Sequence, residues 1–218
     1  MKELRAAIFD LDGTILNTLA DLCDSLNEAL AEEGLPGHSQ DHCRLMIGNG
    51  LETLVVRSLP EGLRLAAHVR PIFTKFLERY RQKQLDKTAP YPGIPEMLAQ
   101  LRARGILLAV LSNKAHPNAL VVVEHYFPGT FQAVYGLRPE VPAKPDPAGA
   151  LAIARDFNLR PEDFAFLGDS GVDMKTAVQA NMFPVGVNWG YRGEEELLAA
   201  GAKKIIGSPA EFVELFND

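Results

Sequence analysis

The sequence has no apolar run that approaches the ~20 residues needed to span a bilayer. It has no excess of positive charge either: 22 Lys plus Arg stand against 28 Asp plus Glu, a formal net charge of −6. Nucleic acid and anionic membranes both prefer a basic face, so neither is an expected partner. Cysteine is scarce, with only Cys23 and Cys43, spaced neither as CxxC nor as a zinc knuckle. A chain of 218 residues forms a real core without staples. The two cysteines are therefore expected as reduced, partly buried thiols. Repeats and low-complexity tracts are also missing. The first apolar run, Ala6 to Phe9, stops at Asp10 and is too short for a signal-peptide core, so a cytoplasmic location is expected.

What is present describes an ordinary globular protein. Apolar residues make up 47%, too many for a disordered chain. The length allows one large domain, or a core domain with a smaller insertion.

The run Ala6 to Phe9 reads as a buried strand. A helical pattern follows from about Thr18 to Glu33, with Leu19, Leu22, Leu26, Ala29 and Leu30 on one face. From Leu35 to Lys87 no strand is predicted, and two further amphipathic patterns, around Leu51 to Leu59 and Val69 to Tyr80, suggest a small helical block. Pro90-Tyr91-Pro92-Gly93 breaks the rhythm. Beyond it, predicted strands at Ile106–Leu111, Ala133–Tyr135, Phe164–Leu167, Phe183–Val187 and Lys204–Ile206 alternate with helical patterns. Such alternation implies an α/β fold, a parallel sheet with helices on both faces. The helical block interrupts it soon after the first strand. The expected division is a core of residues 1–16 and 90–218 and a helical insertion of residues 17–89.

In open parallel sheets, ligands bind beyond the carboxyl ends of the strands. The first strand is followed by Asp10-Leu11-Asp12-Gly13-Thr14. Carboxylates at i and i+2 of an extended chain point to the same side. Such a pair can hold a hard cation such as Mg²⁺, or supply a nucleophile and a proton carrier; a solvated turn is the plain alternative. The strand ending at Leu111 is followed by Ser112-Asn113-Lys114, suited to phosphate oxygens or to an ordinary helix cap. Lys144 lies in Ala143-Lys144-Pro145-Asp146-Pro147, a stiff loop from which a lysine can offset phosphoryl charge. Gly168-Asp169-Ser170-Gly171-Val172-Asp173 is a second acidic loop that opens into a helix. Asp169 can ligate a metal there, and Asp173 can brace Lys144 or a metal-bound water; helix capping by Asp169 or Ser170, with Asp173 offsetting the helix dipole, is the plain alternative.

In this order, the four segments resemble the motifs of the haloacid dehalogenase superfamily of phosphohydrolases, over essentially the whole chain. Residues Asp10 to Thr18 are similar to its first motif, Ser112 to the second, Lys144 to the third, and Gly168 to Asp173 to the fourth. The resemblance implies a Rossmann-like core with a mobile helical cap inserted after the first motif. It implies that Asp10 is a nucleophile forming an aspartyl-phosphate and that Asp12 is the general acid and base. It implies Mg²⁺ on the Asp10 carboxylate, the Asp12 backbone carbonyl and Asp169. Thr14, Ser112 and Asn113 are then expected near phosphate, with Asp173 behind Lys144 or the metal. Asp12 argues against dehalogenase and phosphonatase chemistry, since those branches lack this second aspartate.

Gly48-Asn49-Gly50, Ser112-Asn113-Lys114 and Asn188-Trp189-Gly190-Tyr191 are similar to the phosphoglycolate-phosphatase-like subgroup. The substrate implied is a small phosphorylated metabolite, with 2-phosphoglycolate favoured and pyrophosphate and sugar phosphates behind it. Gly48, Asn49 and Gly50 are candidates for contacting a substrate carboxylate, or form a plain turn. A phosphomutase of the β-phosphoglucomutase type and a non-catalytic binding protein are the competing functional readings. The oligomeric state expected is monomer or homodimer. His38 and His42, with Cys43 beside them, lack a fourth ligand for zinc and are expected to be structural or surface residues. Trp189 and Tyr191 are expected to pack at the sheet edge, and Arg192 to be exposed.

Overall fold

The structure is a computed structural model, and it describes residues 4–47 and 50–216. The chain divides into two compact units, Met1–Leu16 with Pro90–Asp218, and Asn17–Ala89.

It opens with β1 (Ala6–Phe9), four small or apolar residues that are all buried. It leaves the first unit through β2 (Leu16–Asn17). Four helices follow: α1 (Leu19–Ala31), α2 (Gln40–Met46), α3 (Leu51–Ser58) and α4 (Ala66–Lys83). The chain returns through β3 (Ala89–Pro90), which pairs with β2 as a two-stranded ladder. The rest alternates: α5 (Ile94–Ala103), β4 (Leu107–Ala115), α6 (His116–Tyr126), β5 (Ala133–Leu137), α7 (Ala148–Asp156) and β6 (Phe164–Gly168). Then come α8 (Gly171–Gln179), β7 (Phe183–Val187), α9 (Glu194–Ala199), β8 (Lys204–Ile206) and α10 (Pro209–Val213).

Six strands form one parallel sheet in the order β5-β4-β1-β6-β7-β8. β1 is central, and the chain fills the sheet on one side of it before crossing to the other. Its register aligns Phe9 with Val110 on β4 and with Leu167 on β6. Asp10 therefore leaves the sheet level with the end of β6, while β4 runs on past it to Ala115. Crevices at such a reversal of strand order are where α/β sheets take ligands. Ala6, Ile8, Ala109, Phe164 and Phe166 are buried in a core shared with Ile153 and Ala177 of the flanking helices. Near-continuous apolar runs of this kind are what a strand covered on both faces requires. The α/β reading is borne out.

β4 is longer than its apolar run suggests. Ser112, Asn113 and Lys114, expected to follow the strand, belong to it; the strand shifts register between Leu111 and Ala115 before pairing Ala115 with Leu137. Their polarity reflects the direction they face, not an end of extended backbone.

The helical unit has its own core of Leu22, Leu26, Leu30, Val55, Ile72, Phe76 and Tyr80. Cys23 on α1 and Cys43 on α2 are joined in a disulfide, contrary to the expected free thiols. Their Cα atoms are 5.8 Å apart, within bonding range, because the helices bring two distant turns together. The connecting loop is pinned beside them: Asn27 Nδ2 donates to the His38 carbonyl at 2.9 Å, and His38 N–H donates to Asn27 Oδ1 at 2.8 Å. His38 Nε2 lies 2.9 Å from the Ser58 carbonyl, and His38 and His42 face each other through their Nδ1 atoms at 3.1 Å. Among the described residues no helix is long and apolar enough to cross a membrane.

Candidate active site

The site is assembled at the carboxyl ends of β1, β4 and β6. Asp10 extends β1, its N–H donating to the Leu167 carbonyl at 2.9 Å. Lys144 reaches it from the loop before α7: Nζ lies 2.7 Å from Asp10 Oδ1 and 2.6 Å from Asp173 Oδ1. The lysine side chain is 4% exposed, Asp10 12% and Asp173 1%. A lysine is buried to this degree almost only when paired.

Asp173 is held from its other oxygen. The N–H and hydroxyl of Ser170 both donate to Asp173 Oδ2, at 3.1 and 2.6 Å, closing a capping box at the start of α8. One residue therefore caps a helix and positions the lysine.

Asp169 is buried and gripped by two segments. Thr14 Oγ1 donates to Oδ1 at 3.3 Å, and the N–H of Tyr191 donates to Oδ2 at 2.7 Å. Trp189 Nε1 donates to the Thr14 carbonyl at 2.9 Å, joining those segments to each other. Gly13 and Gly190 both press against Asp169, and neither position has room for a Cβ. Gly13 also has φ +89°, a conformation that suits glycine.

Ligand oxygens of Asp10, Asp169 and Asp173 lie within 4.8 Å of one another, which is the spacing of a cation site. Burial is the main force pushing the Asp10 carboxyl up to about 7, with Asp173 adding repulsion and Lys144 opposing it. Burial likewise drives Asp169 well above the usual carboxylate range, with Asp173 and Asp10 adding to it. Burial works against the charge on Lys144, but Asp10 and Asp173 more than offset it and raise the ammonium above its ordinary value.

Asp12, two residues from Asp10, is paired separately. Lys114 Nζ lies 3.0 and 3.3 Å from its two carboxylate oxygens. Once all four carboxyls are ionised they face two ammonium groups and leave two negative charges in excess. Hard oxygen donors carrying that excess fit a divalent cation.

The structure brings Asp10, Asp12, Lys144, Asp169 and Asp173 together, as expected. Two of the residues expected near phosphate have side chains engaged within the site. The Thr14 hydroxyl, expected at phosphate, is fully buried against Asp169. The Asn113 amide, also expected there, is spent on the Lys144 backbone: Nδ2 donates to its carbonyl at 3.0 Å and Oδ1 accepts its N–H at 2.8 Å. Both are short polar side chains with backbone or carboxylate partners inside their reach, so they brace the site. Ser112 is buried, and its Oγ accepts the Lys114 N–H at 3.2 Å. Gly50 precedes α3 in the helical unit, while Gly48 and Asn49 lie outside the described residues. Lys114, Gly190 and Tyr191 stand in segments the sequence singles out, but their contacts with Asp12 and Asp169 are not legible there. The last two act through close packing and a backbone N–H, which leave no side-chain signature.

With this geometry in view, comparison with known proteins is direct. The profile of the haloacid dehalogenase-like hydrolase family matches residues 7–187. The chain belongs to that family. A phosphoglycolate phosphatase of Caulobacter vibrioides is 34% identical over 207 residues, covering 92% of this chain and 85% of its own. An N-acetylmuramic acid 6-phosphate phosphatase of Pseudomonas aeruginosa is 29% identical over 218 residues, covering 99% of this chain and 96% of its own. A crystal structure of a protein from Lactobacillus delbrueckii subsp. bulgaricus matches with a TM-score of 0.92 at 30% identity, covering 98% of each chain.

Proposed function

We propose that this protein is a Mg²⁺-dependent phosphatase of small phosphorylated metabolites, with 2-phosphoglycolate as the favoured substrate. The observation that carries the reading is the Asp10 carboxylate held at 2.7 Å by the buried Lys144, beside Asp169 and Asp173. Similarity to the Caulobacter phosphoglycolate phosphatase favours the substrate.

In this reading Asp10 attacks phosphorus. Its Oδ–P bond forms as the bond to the leaving oxygen breaks, and Asp12 gives that oxygen a proton. Asp12 then takes a proton from water as the water oxygen attacks phosphorus and releases Asp10. Lys144 offsets the repulsion between an anionic nucleophile and an anionic phosphoryl group. Ser112 would meet a phosphoryl oxygen, while Asn113, Thr14 and Asp173 keep Lys144 and Asp169 in position. The carboxylates of Asp10 and Asp169, with the Asp12 backbone carbonyl, would hold Mg²⁺. When bound, the ion supplies charge neutralisation for the phosphoryl oxygens. We assign the unit Asn17–Ala89 the role of a cap that shields the reaction from bulk water.

The test is phosphate release from a panel of phosphorylated metabolites that includes 2-phosphoglycolate, N-acetylmuramic acid 6-phosphate and pyrophosphate. It is run with Mg²⁺, with EDTA, and with Asp10→Asn. Turnover that needs the metal and is lost in the variant supports the reading. Release from no compound contradicts it.

A further inference from the structure

The two aspartates of the Asp10-x-Asp12 pair each have their own buried lysine. Lys144 on Asp10 has its place in the mechanism above. Lys114 on Asp12 does not, yet its side chain is only 2% exposed. It stands at the end of β4, where a small or apolar residue would complete the strand at no desolvation cost. Its backbone is fixed as well, through its N–H on Ser112 Oγ. Asp12, by contrast, is 22% exposed, so its carboxylate keeps an open side.

We propose that Lys114 is a positioning residue that aims the Asp12 carboxyl at the leaving oxygen. The proposal rests on the phosphatase reading. An ammonium only donates hydrogen bonds. At 3.0 and 3.3 Å from the two oxygens, Lys114 occupies the lone pairs on its own side and stops the carboxyl from rotating. The proton that Asp12 gives or takes is then confined to the opposite, open side. Lys114 gains and loses no proton and forms no bond. It sets the direction in which the Asp12 proton travels while the leaving-group P–O bond breaks.

A misaimed acid matters in proportion to how much the leaving oxygen needs a proton. An alkyl phosphate expels a strongly basic alkoxide; p-nitrophenyl phosphate expels a stable phenolate. General acid catalysis contributes roughly 10²- to 10⁴-fold where it is needed. The experiment measures kcat and KM of the whole protein with Mg²⁺ for 2-phosphoglycolate and p-nitrophenyl phosphate, in wild type, Lys114→Met, Lys114→Gln and Lys114→Arg. The expected result is a loss of kcat/KM for Lys114→Met at least about tenfold larger with 2-phosphoglycolate than with p-nitrophenyl phosphate, a small part of the acid catalysis at stake. Lys114→Arg recovers much of the loss. Should Lys114→Met fail to fold, Lys114→Gln carries the same comparison. Equal losses with both substrates would assign Lys114 to phosphate binding or packing and overturn the proposal. If Asp10→Asn still abolishes turnover in that case, the phosphatase reading stands without it. If wild type turns over neither substrate, both fall.

Discussion

The two units of this protein use the same ion pairs in opposite ways. In the helical unit, α4 is laced to α1 and to the residues just after it by Lys83 to Glu28, Arg79 to Glu32 at 2.8 Å and Lys75 to Glu33 at 2.6 Å, with every partner at least 35% exposed. Water screens such pairs and they contribute little. In the sheet unit, Lys144 and Lys114 are 4% and 2% exposed, and each must be stripped of water to reach its carboxylate. Desolvation of that kind often exceeds the attraction it permits. The helical unit takes its stability from Leu, Phe and Tyr and can lose a surface pair. The sheet unit keeps costly pairs where the motifs converge, which is the expected signature of charges retained for chemistry.

The contrast can be broken most sharply at Asp10. Asp10→Asn should lower kcat by at least about 10³-fold, as removal of a covalent nucleophile does. Metal-free protein carrying it should melt no lower than wild type at pH 8, because a buried charge has been removed. A matching loss of stability would make Asp10 a structural residue.

Metal and pH sharpen the same point. Asp10 rises in the folded protein from 3.8 to about 7, and Asp169 moves in the same direction. The folded state therefore holds these protons more tightly than the unfolded chain. The stability that Asp10 gives is complete below about pH 4 and is lost as pH rises through about 7. A divalent cation takes the place of the protons. Mg²⁺ should raise the melting temperature strongly at pH 8 and hardly at pH 5. An equal rise at both would contradict the site.

Within the helical unit, the covalent link outweighs the ionic ones. Cys23→Ser with Cys43→Ser, or reduction of the disulfide, should cost about 3 kcal/mol in urea unfolding, as expected for a loop of ~20 residues. Glu32→Gln, which touches both Lys75 and Arg79, should leave the midpoint within experimental error.

Much of this was legible in the sequence because apolar runs end where motifs begin. Ala6 to Phe9 is buried and Asp10 follows it; Phe164 to Gly168 is buried and Asp169 follows it. The succession of strands along the chain and the placing of Asp10 and Asp169 at strand ends come from that rule; Lys144, in the loop before α7, does not. It fails at β4, where polar residues stay in the strand and Lys114 looks as if it follows it. It is also silent about which short polar side chains brace a neighbour, as those of Thr14 and Asn113 do. The disulfide was hidden because helix packing, not spacing, brings Cys23 to Cys43.

The central claim is that Asp10 carries the phosphoryl group. It is tested most directly by quenching the protein in acid during turnover of 2-phosphoglycolate with Mg²⁺ and weighing it intact, then mapping any adduct by peptide. The account predicts one added phosphoryl group, located on Asp10 and missing in Asp10→Asn. Steady turnover with no adduct at any quench time, or an adduct on another residue, would contradict it.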